Sequence, residues 1–231
     1  MLPQFIMSPN GDLFIERTNG TGFLKVDLVI YHGIFENDFD LITALSLWNG
    51  PCFPNALGMM NCRLKLPCLY RALQVSDFGD QRGMIPSNQI IHSTKRLVAK
   101  WGNWHCGENK DHFTGKWISQ KTSILERFFE GIAVRVVVIG KDYLQIALDG
   151  DGWLKSIHHK SAKITDVNED LLRDTLKLKS HFGLDLIAND YIVGKDKNHL
   201  LEVNHIPNMT RFNELQNMYL SNISNWLAQH S

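Results

Sequence analysis

Hydrophobic positions recur at two spacings along the chain, and each change of spacing marks an element. Residues 28–31, Leu-Val-Ile-Tyr, form a short continuous apolar run that predicts a buried strand, and Phe39, Ile42, Leu45 and Trp48 follow at helical spacing as far as Gly50. Together they predict the start of an open α/β layer. Residues 58–73 read as helix interrupted near Pro67, and residues 76–87, with Gly79, Gly83 and Pro86, read as a linker. A short strand at residues 96–100 leads into a polar loop rich in Gly, Asn and Trp, and residues 117–120 follow it. The strongest strand is Ile132-Ala-Val-Arg-Val-Val-Val-Ile139, with a turn at Gly140-Lys-Asp. A helix is predicted to open at Asp166, with Glu169 completing a capping box, and to carry Leu171, Leu172, Thr175, Leu176 and Phe182 on its apolar face until Gly183 stops it. Residues 213–229 predict a terminal helix. Strand-rich segments interleaved with helices give an α+β fold class, behind a small α/β lead domain.

Between the last two helices, the run Asp190-Tyr-Ile-Val-Gly-Lys-Asp-Lys-Asn-His-Leu-Leu-Glu202-Val-Asn204 reads as a β-hairpin. A turn centred near Asp196 sets Asp190 opposite Glu202, and Asn204 lies two residues along on the same side. Opposed carboxylates repel. A hard divalent cation with a preference for oxygen ligands offsets that repulsion and leaves room for water and phosphate oxygens. The alternative is a solvent-facing edge on which acids merely sit near lysines, but Ile192, Leu200, Leu201 and Val203 make the strands look buried.

Composition narrows the classes. The 231 residues suffice for a substantial core in one or two compact domains. With 24 basic against 24 acidic residues, nothing suggests a general attraction to nucleic acid or to an anionic membrane. Without an apolar run of about 18 residues or a signal-like segment at Met1, the expectation is a cytoplasmic protein. Cys52, Cys62, Cys68 and Cys106 are too irregularly spaced for a disulfide scaffold and are expected as free thiols. His105, Cys106 and His112 lack paired ligand spacings and make a poor metal motif.

Three basic residues stand where solubility would not require a charge. Arg135 interrupts an apolar strand on the face of Ala133, Val137 and Ile139, so its guanidinium needs an anionic partner, either a ligand or an acid on a neighbouring strand. Lys100 ends its strand just before the Gly-containing loop, where it could meet phosphate oxygens or simply be solvated. Lys65 lies in a helical stretch. The Gly- and Asn-containing loop after Trp101 can turn backbone N–H groups towards phosphates, although it matches no compact Gly-rich fingerprint. The segment from Leu125 through Glu126 to Gly131 joins two blocks, and its backbone could read an adenine edge.

Taken together, these pieces resemble the ATP-grasp superfamily, most closely its ribosomal-S6-modification and glutathione-synthetase-like ligases. The likeness runs from about Asp27 onward and is strongest over residues 126–211. Leu-Leu-Glu202-Val-Asn204-His-Ile-Pro207 is similar to the family's closing metal motif, and Asp190 matches its other metal-ligating acid. The resemblance implies Mg²⁺ on Asp190, Glu202 and Asn204. It implies nucleotide contacts from Lys65, Lys100, the segment around Glu126, and Lys155. Arg135 would contact the transferred phosphate or the acyl phosphate, Lys160 would reach the site, and Arg211 would hold a substrate carboxylate. It divides the chain into a reduced α/β lead domain at 1–80, a small central subdomain at 81–123 and a C-terminal subdomain at 124–231. The implied activity is an ATP-dependent carboxylate–amine ligase acting on small-molecule or peptide substrates. A hydroxyl kinase and a non-catalytic nucleotide-binding regulator remain open alternatives. The short lead domain makes a homodimer an expectation.

Overall fold

The structure is a computed structural model that describes residues 3–33, 35, 38–102 and 109–230. An antiparallel meander of β1 (Phe5–Met7), β2 (Leu13–Glu16) and β3 (Phe23–Val26) opens it. β4 (Val29–Ile30) then runs parallel to β5 (Cys52–Phe53), with α1 (Phe39–Trp48) as the crossover. α1 stops where Asn49 takes a left-handed conformation at φ 56° and returns its N–H to the Leu45 carbonyl.

α2 (Ala56–Arg63) is capped by Asn55, whose side chain accepts from the Gly58 N–H, and α3 (Lys65–Leu73) follows at once. The break falls at Leu64, whose backbone is extended, and not at Pro67 as the sequence suggested. Pro67 is the third residue of α3, where a missing N–H loses no intrahelical bond. The stretch read as a linker also holds a strand, β6 (Gly83–Ile85), and the buried Asp174 ties the start of that stretch to the body through Ser76 Oγ at 2.9 Å and the Asp77 N–H at 2.7 Å.

β7 (Ile90–Trp101), β8 (Lys110–Ile118) and β9 (Ser123–Arg127) join β6 in a four-stranded antiparallel sheet ordered β6-β9-β7-β8. β9 runs across position 123. Four residues later a five-stranded antiparallel sheet begins with β10 (Ile132–Ile139) and adds β11 (Asp142–Ala147), β12 (Lys163–Thr165), β13 (Leu186–Val193) and β14 (Asn198–Asn204), in the order β12-β11-β10-β13-β14. α4 (Glu169–Phe182) and α5 (Asn213–His230) pack on its two faces. Asn168, not Asp166, caps α4, with its side chain accepting from the N–H groups of Asp170 and Leu171, a contribution of about 1 kcal/mol.

β10 is apolar along its length because both its faces are covered. Val134, Val136 and Val138 pack with Leu171 and Leu178 of α4 and with Ile42 and Met59 of the lead helices, whereas Ala133, Val137 and Ile139 pack with Leu215 and Tyr219 of α5. Arg135 interrupts the second face at the end that α5 leaves free. There the two large sheets confront each other across a cleft.

Candidate active site

The cleft encloses about 690 Å³, lined by the central sheet on one side and the C-terminal sheet on the other. Its walls are Val98, Ala133, Leu148, Phe129 and Leu201, and Lys100, Lys110, Lys155, Glu126, Asp190 and Glu202 supply its charge. An apolar box with convergent charges is the usual form of a small-molecule site.

β13 and β14 bring the two expected acids together, with Asp190 paired to Glu202 and Ala188 paired to Asn204. The route differs from the plain hairpin expected. The turn spans residues 194–197, since Val193 pairs with Asn198, and that register alone would set Asp190 against Leu201. A bulge after Tyr191–Leu200 leaves Leu201 without a partner of its own and advances Glu202 to Asp190. Both Leu201 and Glu202 consequently line the cleft.

Each carboxylate has a cation from the protein. Arg135 lies directly across β10–β13 from Asp190 and donates two parallel bonds, Nε to Oδ1 at 2.6 Å and an Nη to Oδ2 at 2.8 Å. The acid on a neighbouring strand is thus found. Burial works against the guanidinium's charge, but Asp190 and then Glu202 outweigh it and hold Arg135 above the usual arginine range. Lys65 Nζ stands 3.5 Å from Glu202 Oε1. It is the first residue of α3, the wrong end of a helix dipole for a cation, and Glu202 compensates that placement. Lys100 Nζ meets Glu126 Oε1 at 2.6 Å, and Arg82 Nε meets Glu126 Oε2 at 2.6 Å without hydrogen-bond alignment, so this buried acid is clamped from two sides.

The remaining expected residues are dispersed. Lys155 lines the cleft but pairs with Asp149 at 3.3 Å and the Gly150 carbonyl at 3.1 Å. Lys160 is exposed in a turn and is not brought to the cleft. Arg211 is half-buried over the Phe212 ring, also outside the cleft lining. Most of the Gly- and Asn-containing loop, with His105 and Cys106, lies outside the described residues. Cys52, Cys62 and Cys68 are free and buried, as expected.

Sequence reasoning missed Arg82 and singled out neither Trp153 nor Lys110 and Phe129, which it read only as part of the loop after Trp101 and of the segment from Leu125 to Gly131. Trp153 reaches from the segment after β11 to the central sheet, packing on the edge of His112 at 4.9 Å and near Phe128 at 6.2 Å. His199 stacks on Phe129 at 4.0 Å, and burial lowers its pKa against the opposing pull of Asp80.

The donor set suits a hard cation. Asp190 and Glu202 offer carboxylate oxygens and Asn204 an amide oxygen, and Asp190 retains lone pairs beyond those Arg135 uses; the buried Asn204 Nδ2, a donor with no hydrogen-bond partner among the described residues, is left to meet an acceptor oxygen. No set of three or more acids, His or Cys that could hold a metal without Asn occurs among the described residues. No helix among the described residues is long and apolar enough to cross a membrane.

Two antiparallel sheets face each other across a charged cleft behind a short α/β lead, and this is the fold of solved ATP-grasp ligases. Solved structures agree. The chain is similar to the macrocyclase MdnC of Microcystis aeruginosa bound with precursor peptide MdnA, at 15% identity over 96% of this chain and 87% of that one, TM-score 0.59. It is similar to the D-alanine–D-alanine ligase of Bacillus anthracis, at 13% identity over 88% and 82%, TM-score 0.63. It is also similar to the ATP-grasp ligase PsnB, in complex with a phosphomimetic variant of its minimal precursor, Mg and ADP, at 12% identity over 99% and 86%, TM-score 0.60. No protein-family model and no curated protein matches the sequence.

Proposed function

We propose that the protein is an ATP- and Mg²⁺-dependent ligase that joins a carboxylate to an amine, with a peptide as one substrate. The observation that carries this reading is the paired Asp190 and Glu202 on the wall of a charged cleft between two sheets, with Asn204 two residues further along β14. Asp190, Glu202 and Asn204 would hold the metal, which would bridge phosphate oxygens and offset their charge. Lys65 and Lys100 stand ready to exchange their carboxylate partners for phosphate. Phe129, Leu148 and Leu201 offer the apolar surface that a nucleobase needs, and Glu126 fixes Lys100 in place. A carboxylate is a poor electrophile, and ATP supplies the phosphoryl group that turns its oxygen into a leaving group. The amine nitrogen then bonds to the acyl carbon as phosphate departs and the nitrogen loses a proton. Such chemistry needs positioning and electrostatics more than a protein nucleophile. Peptide substrates are supported by the fold likeness to MdnC and PsnB, whose structures hold precursor peptides.

Hydroxylamine tests this reading. With ATP, Mg²⁺ and a pool of carboxylate peptides, the protein should release phosphate and convert the activated acid to a hydroxamate detectable by mass. A phosphorylated hydroxyl product with no hydroxamate would assign a kinase instead. The division into 1–80, 81–123 and 124–231 belongs to the same reading, as does a cytoplasmic homodimer in which a second copy completes the acceptor surface. A monomeric mass by light scattering at working concentration would remove the dimer.

A further inference from the structure

Among the described residues, the cations around the cleft pair off with acids, except Lys110 and the exposed Arg127. Arg135 has Asp190, Lys65 has Glu202, and Lys100 and Arg82 share Glu126. Lys110 lines the same cleft, half-buried, with no hydrogen bond or ion pair among the described residues. It is the first residue of β8 and stands directly across from Lys100, a like-charged cross-strand pair that disfavours the empty hairpin. Burial pushes its ammonium down from the usual lysine range; Glu202 opposes this, Lys100 and Lys65 add to it, and Asp190 opposes it. A buried, unpaired cation opposite another cation is costly unless an anion arrives.

We infer that Lys110 is a ligand for the terminal phosphate of a nucleoside triphosphate, acting with Lys100 as a two-lysine clamp beside Glu202. The inference rests on the nucleotide reading above and adds a residue to it. Placement favours the terminal phosphate. Lys110 lies in the field of Glu202, Lys100 and Lys65, beside the carboxylates that would hold the metal and so beside the phosphates that the metal would accompany. The hairpin pairing of Lys100 with Lys110 lets two ammonium groups approach one phosphate from adjacent strands.

Calorimetric titration of Mg-ATP and Mg-ADP into the wild type, Lys110→Met and Lys110→Arg tests it. Lys110→Met should weaken Mg-ATP binding about tenfold or more while Mg-ADP stays within about twofold, and Lys110→Arg should restore most of the loss. The ligand-free melting temperature of Lys110→Met should equal or exceed that of the wild type, because an uncompensated buried charge has been removed. If the methionine variant fails to fold, Lys110→Gln carries the same comparison. Unchanged ATP affinity, equal losses for ATP and ADP, or a lowered ligand-free melting temperature with normal ATP binding would each overturn the inference while leaving the nucleotide site standing. Absence of nucleotide binding in the wild type would remove both.

Discussion

Glu202→Gln is expected to abolish magnesium-dependent ATP binding, with affinity for Mg-ATP falling by about 100-fold or more while ligand-free stability changes little. The two halves of this expectation have separate causes. An amide in place of the carboxylate removes a charged oxygen ligand opposite Asp190, which a hard cation cannot replace cheaply. In the ligand-free protein the substitution both relieves the repulsion from Asp190 and removes the ion pair with Lys65, 3.5 Å away, so the effects oppose each other. Calorimetry with ATP and ADP, each with and without Mg²⁺, reads the first half, and thermal melting in EDTA reads the second. Magnesium-dependent binding that survives in Glu202→Gln would remove the metal assignment from the β13–β14 hairpin.

Arg135→Ala should act in the other direction on the apo protein. The Arg135 and Asp190 side chains are 14% and 12% exposed, and truncating the arginine leaves a mostly buried carboxylate without its two charge-assisted bonds. Breaking such a pair costs about 3 kcal/mol or more, which for a chain of this size is a fall of about 10 °C in melting temperature. Magnesium should return part of that loss, since it supplies the charge Asp190 then lacks. Turnover should fall more than nucleotide affinity, because Arg135 fixes the orientation of an acid that holds the metal. A variant that melts like the wild type in EDTA would show that the pair is not a stabilising contact, and one with unchanged turnover would remove Arg135 from the site.

Where the sequence was explicit, strong local patterns carried the information. Ile132–Ile139 is covered on both faces and so reads as an apolar run broken only by Arg135; α4 and α5 carry long stripes; the hairpin's acids were set opposite each other from the sequence, although the bulge that pairs them was not foreseen. The N-terminal meander went unread because its strands are three or four residues long, too short for alternation to separate them from loop. Lys110 was read only as part of the loop after Trp101, weighed for its backbone, and the pairing with Lys100 is what gives its side chain a place. Arg82 and Glu126 are 44 positions apart, and no local pattern announces such a contact. Lys160 and Arg211 show the converse, since chain neighbours of a motif need not share its place in space.

The bulge at Leu201 imposes an arithmetic of odd and even on the hairpin. Twelve positions separate Asp190 from Glu202, and an unbulged ladder can pair them only around a turn with an odd number of residues, whereas the turn here has four. Deleting Leu201 would let the ladder run straight around the same four-residue turn and keep the acids opposed. A ladder that ran straight with Leu201 present would instead put Leu201 opposite Asp190 and turn Glu202 away from it. The single unpaired residue within β14 therefore decides whether the two carboxylates meet at all, whatever the length of the turn that precedes it.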